Sequence, residues 1–468
     1  MKSYITLDVT MITVQNGNKT RRYWSLANKL LSGLNLLQRK AETNPKTTLA
    51  VILGLSLILN IYNQAVKPIT QDLGETWRWW PDSLSFLQSL TFRSCVPVYF
   101  PFCGPANNIS ASLEPLPVLL FAASAFVSQQ SLWFARGVEV ALNIAALLGV
   151  YLLTSAWANK RAAFLAAFIW ATYLPAIKLV TQISGDLLAT VFVAFGFYFF
   201  IRARSSKRRR DWIAAGITLG LGVLSRSAVL AIVAVLVIGL VIEGWKASRA
   251  GQDTFMKLIR PAALFLLMVS ILIAPWFTRN YLVFGKPVLG TTLIGYNLYR
   301  QNYMIGENNY LRFVGPKEAA LAINALVARR PDLKGTENEA QMDTVYRAEA
   351  LKVIAAHPIQ YGLLSAYRFF PLWFNWGIEE AYGDQPPLIW YTVMAWQAVL
   401  LITALLGVWV TRWHSWPLLA SIIVVSLSYM AIISELRYLV LVMPLVISLS
   451  VVGIQKIENS LLLKFSEG

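Results

Sequence analysis

The chain has 468 residues, of which 56% are hydrophobic and only 14% charged. An ordinary soluble domain carries about a quarter charged residues, so a soluble enzyme is excluded. The 41 Lys and Arg against 24 Asp and Glu leave a formal charge of +17, which in a soluble protein would point to nucleic acid. Here the apolar residues form long blocks such as 228–242 and 262–276, close to the ~20 residues that cross a bilayer. The partner is therefore the lipid bilayer and not nucleic acid. These blocks lack the alternation of barrel strands, and the composition predicts an all-α polytopic membrane protein.

In chain order, residues 1–46 form a basic segment placed in the cytoplasm by the positive-inside rule. A first span at about 47–63 delivers an outer loop, 64–112. A second span is expected near 113–129 and a third near 137–155, which puts Arg136 in a cytoplasmic connection. The cluster from Arg202 to Arg210 is the next cytoplasmic signal. Five apolar blocks separate it from the N-terminus, and an odd number cannot join two ends on one side. One block must fail to cross, and 163–183, with Pro175, Lys178 and Gln182, is expected to be short or re-entrant near the outer face. A helical hairpin then turns near Arg226, and a span at 261–276 ends the N-terminal membrane module (47–277). A second outer region, 278–386, is helical. Spans near 388–410, 416–433 and 438–454 fill the C-terminal part (387–455), before a cytoplasmic tail (456–468). This gives about ten crossings, a short or re-entrant helix and two large outer loops. Most of the +17 then faces anionic headgroups on the cytoplasmic side, and chemistry belongs on the outer face.

The residues that can carry chemistry lie at outer span boundaries. Asp72, Glu75 and Asp82 flank Trp77, Trp79 and Trp80. An acid desolvated beside such rings becomes a better base, although the tryptophans also suit an interfacial belt with solvated acids. Glu114, Asp186 and Arg226 are costly in apolar blocks and suit either a site or structural ion pairs. Arg279 with Asn280, and Arg437 with Tyr438, are outer arginines that need a partner. A phosphate bound by the guanidinium fork is one, and Glu435 or a lipid headgroup is another. Cys95 and Cys103, eight positions apart, suit a disulfide in an oxidising compartment or two free thiols. His357 reads as a turn residue.

Several local patterns stand in a telling order: Pro81-Asp82-Ser83 with Phe86, Glu114-Pro115-Leu116-Pro117, Ser184-Gly185-Asp186, and Gly220 to Leu224 with Ser225-Arg226. Ala274 to Tyr281 with Phe284-Gly285 follows, then Arg437-Tyr438 with Pro444. Over roughly residues 48–455 this order resembles the GT-C superfamily of lipid-linked-sugar glycosyltransferases, above all the branch of protein O-mannosyltransferases and bacterial aminoarabinose transferases. The resemblance implies a GT-C-like helix bundle. It further implies inverting transfer of a sugar from a polyprenyl-phosphate carrier to an acceptor hydroxyl of a glycan, lipid or protein, at the periplasmic face of a bacterial inner membrane. By the same resemblance Asp82 is the general base and Asp186 the acid beside the active site. Arg279 best matches the donor-phosphate position, followed by Arg437 and Arg226; Glu114, Asp72, Glu75, Asn280 and Tyr438 support them. Members with a metal or lysine phosphate site carry Lys or His where this chain has Glu114, so a divalent metal stays open. A transporter or flippase for a lipid-linked glycan, and a polymerase or ligase using a pyrophosphate-linked oligosaccharide, are the competing readings.

Overall fold

The computed structural model describes residues 43–67, 74–104, 107–251 and 255–466. Most of the basic N-terminal segment, and Asp72, lie outside these residues. Within them the chain is helical without strands, apart from isolated antiparallel bridges such as Arg93 with Ile109. Among the described residues, seven stretches are long and apolar enough to cross a membrane. The chain is a membrane protein.

The first helix among the described residues, α1 (Pro45–Val66), buries a polar stripe of Ser56, Asn60 and Gln64 at the four-residue spacing of one helix face. After α2 (Thr76–Ser89) and α3 (Pro115–Val127) come α4 (Leu132–Trp157), α5 (Lys160–Ala171) and α6 (Leu174–Leu179). The serine and asparagine caps of α4 and α5, Ser131 and Asn159, accept N–H bonds from Phe134 and Ala162, as orphan donors at helix starts require. Next are α7 (Asp186–Ser206), α8 (Arg209–Ser225), α9 (Val229–Arg249) and the 30-residue α10 (Phe255–Phe284). Ion pairs Arg204–Glu243 (2.9 Å) and Arg202–Asp211 (3.7 Å) mark the basic end of this group, and Asp186–Arg226 marks the opposite end, here called the site end.

Two expected blocks exchange roles. The expected second span is α3, only 13 residues long, and both of its flanks lie at the site end. Glu114 before it accepts from Ser227, and Arg136 after it donates to the Lys67 carbonyl at the close of α1. Thus α3 does not carry the chain across the bundle, and Arg136 lies at the same end as Glu114, the site end. The expected re-entrant block instead traverses the bundle as α5 and α6, from Asn159 beside Gln455 to Gln182 at the site. Pro175 and the break before it split this helix, and the freed backbone groups are satisfied from other elements, as burial demands. Asn63 donates to the Ile177 carbonyl (2.7 Å), Gln64 donates to that of Val180, and the Ser184 N–H donates to Glu139 (2.9 Å).

The C-terminal part contains α17 (Leu388–Thr411), α18 (Trp416–Ile432), a 3-10 turn over Leu436–Val442 and α19 (Met443–Ser466). Helices α17 and α19 meet at Gly407 and Gly453, where an added Cβ would lie 2.0 Å from the Leu449 and Thr403 carbonyl oxygens respectively. Thr403 and Ser450 hydroxyls bond across the seam (2.6 Å), the small-residue packing favoured between membrane helices.

Six helices form the connection between α10 and α17: α11 (Ile294–Arg300), α12 (Pro316–Ala328), α13 (Glu339–Ala356), α14 (Pro358–Tyr367), α15 (Phe369–Phe374) and α16 (Ile378–Tyr382). They share a core with the earlier loop: Phe100 packs with Tyr296, Tyr299 and Tyr346, and the Tyr346 hydroxyl donates to the Tyr99 carbonyl (3.0 Å). Cys95 and Cys103 are joined in a disulfide in that loop. The described parts of the two expected outer loops pack together over the site end.

Candidate active site

The start of α2 is pinned between two irregular segments. The Ile183 N–H donates to Thr76 Oγ1 (2.9 Å), and the Glu75 N–H donates to Gln182 Oε1 (3.3 Å). Gly74 has φ +44°, and a Cβ there would lie 2.4 Å from the Gln182 side chain. Glycine takes this left-handed turn without strain and leaves room for the Gln182 side chain. On the other side Arg78 donates to the Ser112 carbonyl (2.6 Å) and lies over the Tyr99 ring.

This pinning places Glu75 in a cavity of about 440 Å³, walled by α2, α6, the loop around α16 and the 3-10 turn. Arg437 Nη1 stands 2.5 Å from Glu75 Oε1, and its Nε stands 2.7 Å from Glu435 Oε2. Its other terminal nitrogen donates to the Tyr438 hydroxyl (2.9 Å), and the Tyr438 ring stacks on Tyr429 at 4.7 Å. Lys178, over the Trp390 ring at 4.6 Å, supplies a second cation to the same cavity. Burial pushes the Glu75 carboxyl upward, but Arg437, Arg78 and Arg226 together hold it down at about 2. It is a carboxylate at neutral pH.

Behind Glu75 lies a second layer of charge. Asp186 and Arg226 pair at 2.5 Å, Arg226 covers the buried Trp79 ring, and Glu114 accepts from both the N–H and hydroxyl of Ser227 (3.0 Å each). Of the residues singled out in the sequence, Glu75, Glu114, Asp186, Arg226, Arg437 and Tyr438 therefore gather in one place.

Asp82, Arg279 and Asn280 belong to a separate group. Asp82 is seven residues beyond Glu75 on the same face of α2, about 10 Å along the axis, and does not line the cavity. Burial lifts its carboxyl to about 6 against the pull of Arg78 and Ser94. Arg279 is held among the Phe92, Trp276 and Phe284 rings. It donates to the Ser110 carbonyl and to Asn280 Oδ1 (2.9 Å each). Asn280 in turn donates to the Val288 carbonyl (3.1 Å).

Residues 113–276 match the family of dolichyl-phosphate-mannose-protein mannosyltransferases. Over 90% of its length the chain superposes on the apo oligosaccharyltransferase of Archaeoglobus fulgidus with a TM-score of 0.53 at 17% identity, covering 51% of that protein. The fold is of the GT-C type. The same archaeal enzyme, AglB, in complex with an inhibitory peptide and a dolichol-phosphate gives a TM-score of 0.53 at 16% identity over 90% of this chain and 51% of that one. ArnT from Cupriavidus metallidurans bound to undecaprenyl phosphate is more distant, with a TM-score of 0.39 at 12% identity over 88% and 77% of the two chains. No curated protein matches the chain. The chain spans about half the length of the archaeal structures.

Two acids in this GT-C bundle escape the sequence reading. Glu139 is fully buried on α4 and caps the irregular segment at Ser184; an acid three residues after Arg136 inside an apolar block is the signal that could have found it. Glu339, at the start of α13, reads as a surface charge yet is 6% exposed. Its Oε2 accepts from the Ala111 N–H (2.8 Å) and the Thr292 hydroxyl (2.7 Å). Burial raises it to about 7. Among the described residues no three His, Cys, Asp or Glu side chains converge as metal ligands. Glu75 and Glu435 face Arg437, Asp186 faces Arg226, and Glu114 faces the Ser227 hydroxyl.

Proposed function

We propose that the protein is an inverting glycosyltransferase that moves a sugar from a polyprenyl-phosphate carrier to an acceptor hydroxyl at the periplasmic face of a bacterial inner membrane. The observation that carries this is the cavity at the site end, where a carboxylate, Glu75, and a guanidinium, Arg437, face each other. A glycosyl transfer from a phosphate needs a base for the acceptor and a cation for the leaving group. The fold shared with an enzyme solved with dolichol-phosphate supports a lipid-linked donor. The basic end of the bundle, by the positive-inside rule, supports a site facing away from the cytoplasm.

In this reading the acceptor oxygen attacks the anomeric carbon as the bond from that carbon to the phosphate oxygen breaks. The electron pair leaves on the polyprenyl phosphate, stabilised by Arg437 and Lys178, and the acceptor proton passes to Glu75. Attack opposite the leaving group inverts the anomeric centre. Glu75, which lines the cavity, takes the role the resemblance gave to Asp82. Asp186 positions Arg226 behind it, and Arg279 holds loop backbone.

The test is complementation of a deletion strain, read by the masses of its surface glycans, lipids and proteins. The wild-type gene restores one mass increment, which identifies sugar and acceptor together. Glu75→Gln inserts and folds but restores it at a rate lower by about 10²–10⁴, while Asp82→Asn restores it. Full restoration by Glu75→Gln would refute the assignment of the base.

A further inference from the structure

Arg437 makes two kinds of contact. Glu435 and Tyr438 lie within two residues of it in the chain and fix its orientation from the same turn. Glu75 reaches it from another element, across the cavity. This last contact occupies the edge of the guanidinium that an incoming phosphate would use, and a phosphodiester offers that edge two oxygens in fork geometry. A monoanion arriving there also places negative charge beside the Glu75 carboxylate, which raises its affinity for a proton.

We propose that Arg437 is an exchangeable partner that arms the base: in the empty site it neutralises Glu75, and a polyprenyl phosphodiester entering the cavity takes Arg437 and releases Glu75 to accept the acceptor's proton. The inference rests on the reading of the site given above and adds an order to it, donor before deprotonation. An unoccupied enzyme then has no free base with which to activate water or a stray hydroxyl.

Other charges facing Glu75 set the background. Arg78 on its own helix and Arg226 behind it also draw on the Glu75 carboxylate. Glu435 and Lys178 share the cavity, as do Glu379, Asp384 and Tyr382 from the third wall. Arg437 is the member of this set in direct ion-pair contact with Glu75 and is therefore the one whose loss changes its charge state most.

The experiment uses the full chain in lipid nanodiscs and farnesyl methyl phosphate as the probe, a diester whose own phosphate does not titrate near pH 5. Calorimetric titration at pH 5 in two buffers of different ionisation heat gives both affinity and protons exchanged. Wild-type protein takes up protons on binding, because Glu75 goes from paired to unpaired. Glu75→Gln loses that uptake and binds the probe about fivefold more tightly, since a partly exposed ion pair no longer has to be broken. Equal affinity and equal proton count in the two proteins would overturn the exchange while leaving the donor site intact. Absence of probe binding to both proteins would overturn the donor site and the exchange with it. The wild-type proton count stands on its own if the variant fails to fold: binding with no uptake overturns the exchange.

Discussion

Arg279 and Glu339 hold opposite ends of one peptide group. The Ser110 carbonyl accepts from Arg279, on α10, and the N–H of the next residue, Ala111, donates to Glu339, on α13. The same short segment receives the Thr292 N–H at the Ala111 carbonyl (3.1 Å) and Arg78 at the Ser112 carbonyl. A transmembrane helix, the packed layer above it and the helix that carries Glu75 are thus tied to three consecutive residues.

Because the clamp grips backbone, either partner is expected to act on stability before chemistry. Arg279→Ala and Glu339→Ala should each lower the unfolding free energy by about 1–3 kcal/mol, the usual result of leaving a buried group unsatisfied. The double variant should cost less than the sum, since one peptide is lost only once. Thermal unfolding in detergent measures this. The affinity for undecaprenyl phosphate should be unchanged in Arg279→Ala; a large loss of affinity would return Arg279 to the phosphate.

The clamp also predicts a pH dependence. Burial raises Glu339 from an ordinary 4.5 to about 7, so between those values the folded protein holds more protons than the unfolded chain. Stability contributed by this group is therefore fully present below about pH 4.5 and declines as pH rises to 7, by up to about 3 kcal/mol. Asp82, raised to about 6, adds a smaller term of the same sign. The midpoint of thermal unfolding should fall across this window in wild type and fall less in Glu339→Gln.

At the seam of α17 and α19, Gly407→Val and Gly453→Val should each be strongly destabilising, by at least the 1–3 kcal/mol of ordinary overpacking, because the obstructing atoms are backbone. Gly362, in α14 with open space around it, is the control. Gly362→Ala should be neutral or stabilising by up to about 1 kcal/mol, measured in the same unfolding assay.

Asp186→Asn should be among the most damaging single changes. It leaves Arg226 without its partner, where the two side chains are only 14% and 2% exposed. Breaking a buried pair costs about 3–5 kcal/mol. Adding Arg226→Met should recover folded protein, seen as monodisperse material on size exclusion, without recovering transfer. Recovery of both would make the pair purely structural.

The bundle itself was legible because apolar blocks and basic clusters record a bilayer directly. Parity required that one block fail to cross. Its identity was not legible: Lys178 and Pro175 look like signs of a helix that does not cross, whereas α3 looks like an ordinary hydrophobic helix that is merely short. The site was half legible. Charges at span ends announced Asp186, Arg226 and Arg437, but Glu75 and Asp82 occupy one helix face, and only what packs against each end of α2 tells them apart. Nothing local connects Arg279 to Glu339, sixty residues away in a segment of mixed charge.

The stripe on α1 bears on how the protein is made. Asn60 Oδ1 accepts from Asn143, whose own oxygen accepts from the Trp170 indole (3.0 Å), and Gln64 waits for the Val180 carbonyl. As the chain emerges, α1 enters the bilayer about eighty residues before Asn143 exists and more than a hundred before Val180. During that interval the Asn60 amide nitrogen already has the Ser56 carbonyl of its own helix (2.7 Å), whereas its oxygen and the Gln64 amide have yet to meet these later partners. Helix α1 is thus a docking strip held open during synthesis, and replacing it with a generic apolar anchor would insert well and then fail to seat the broken helix that forms the cavity wall.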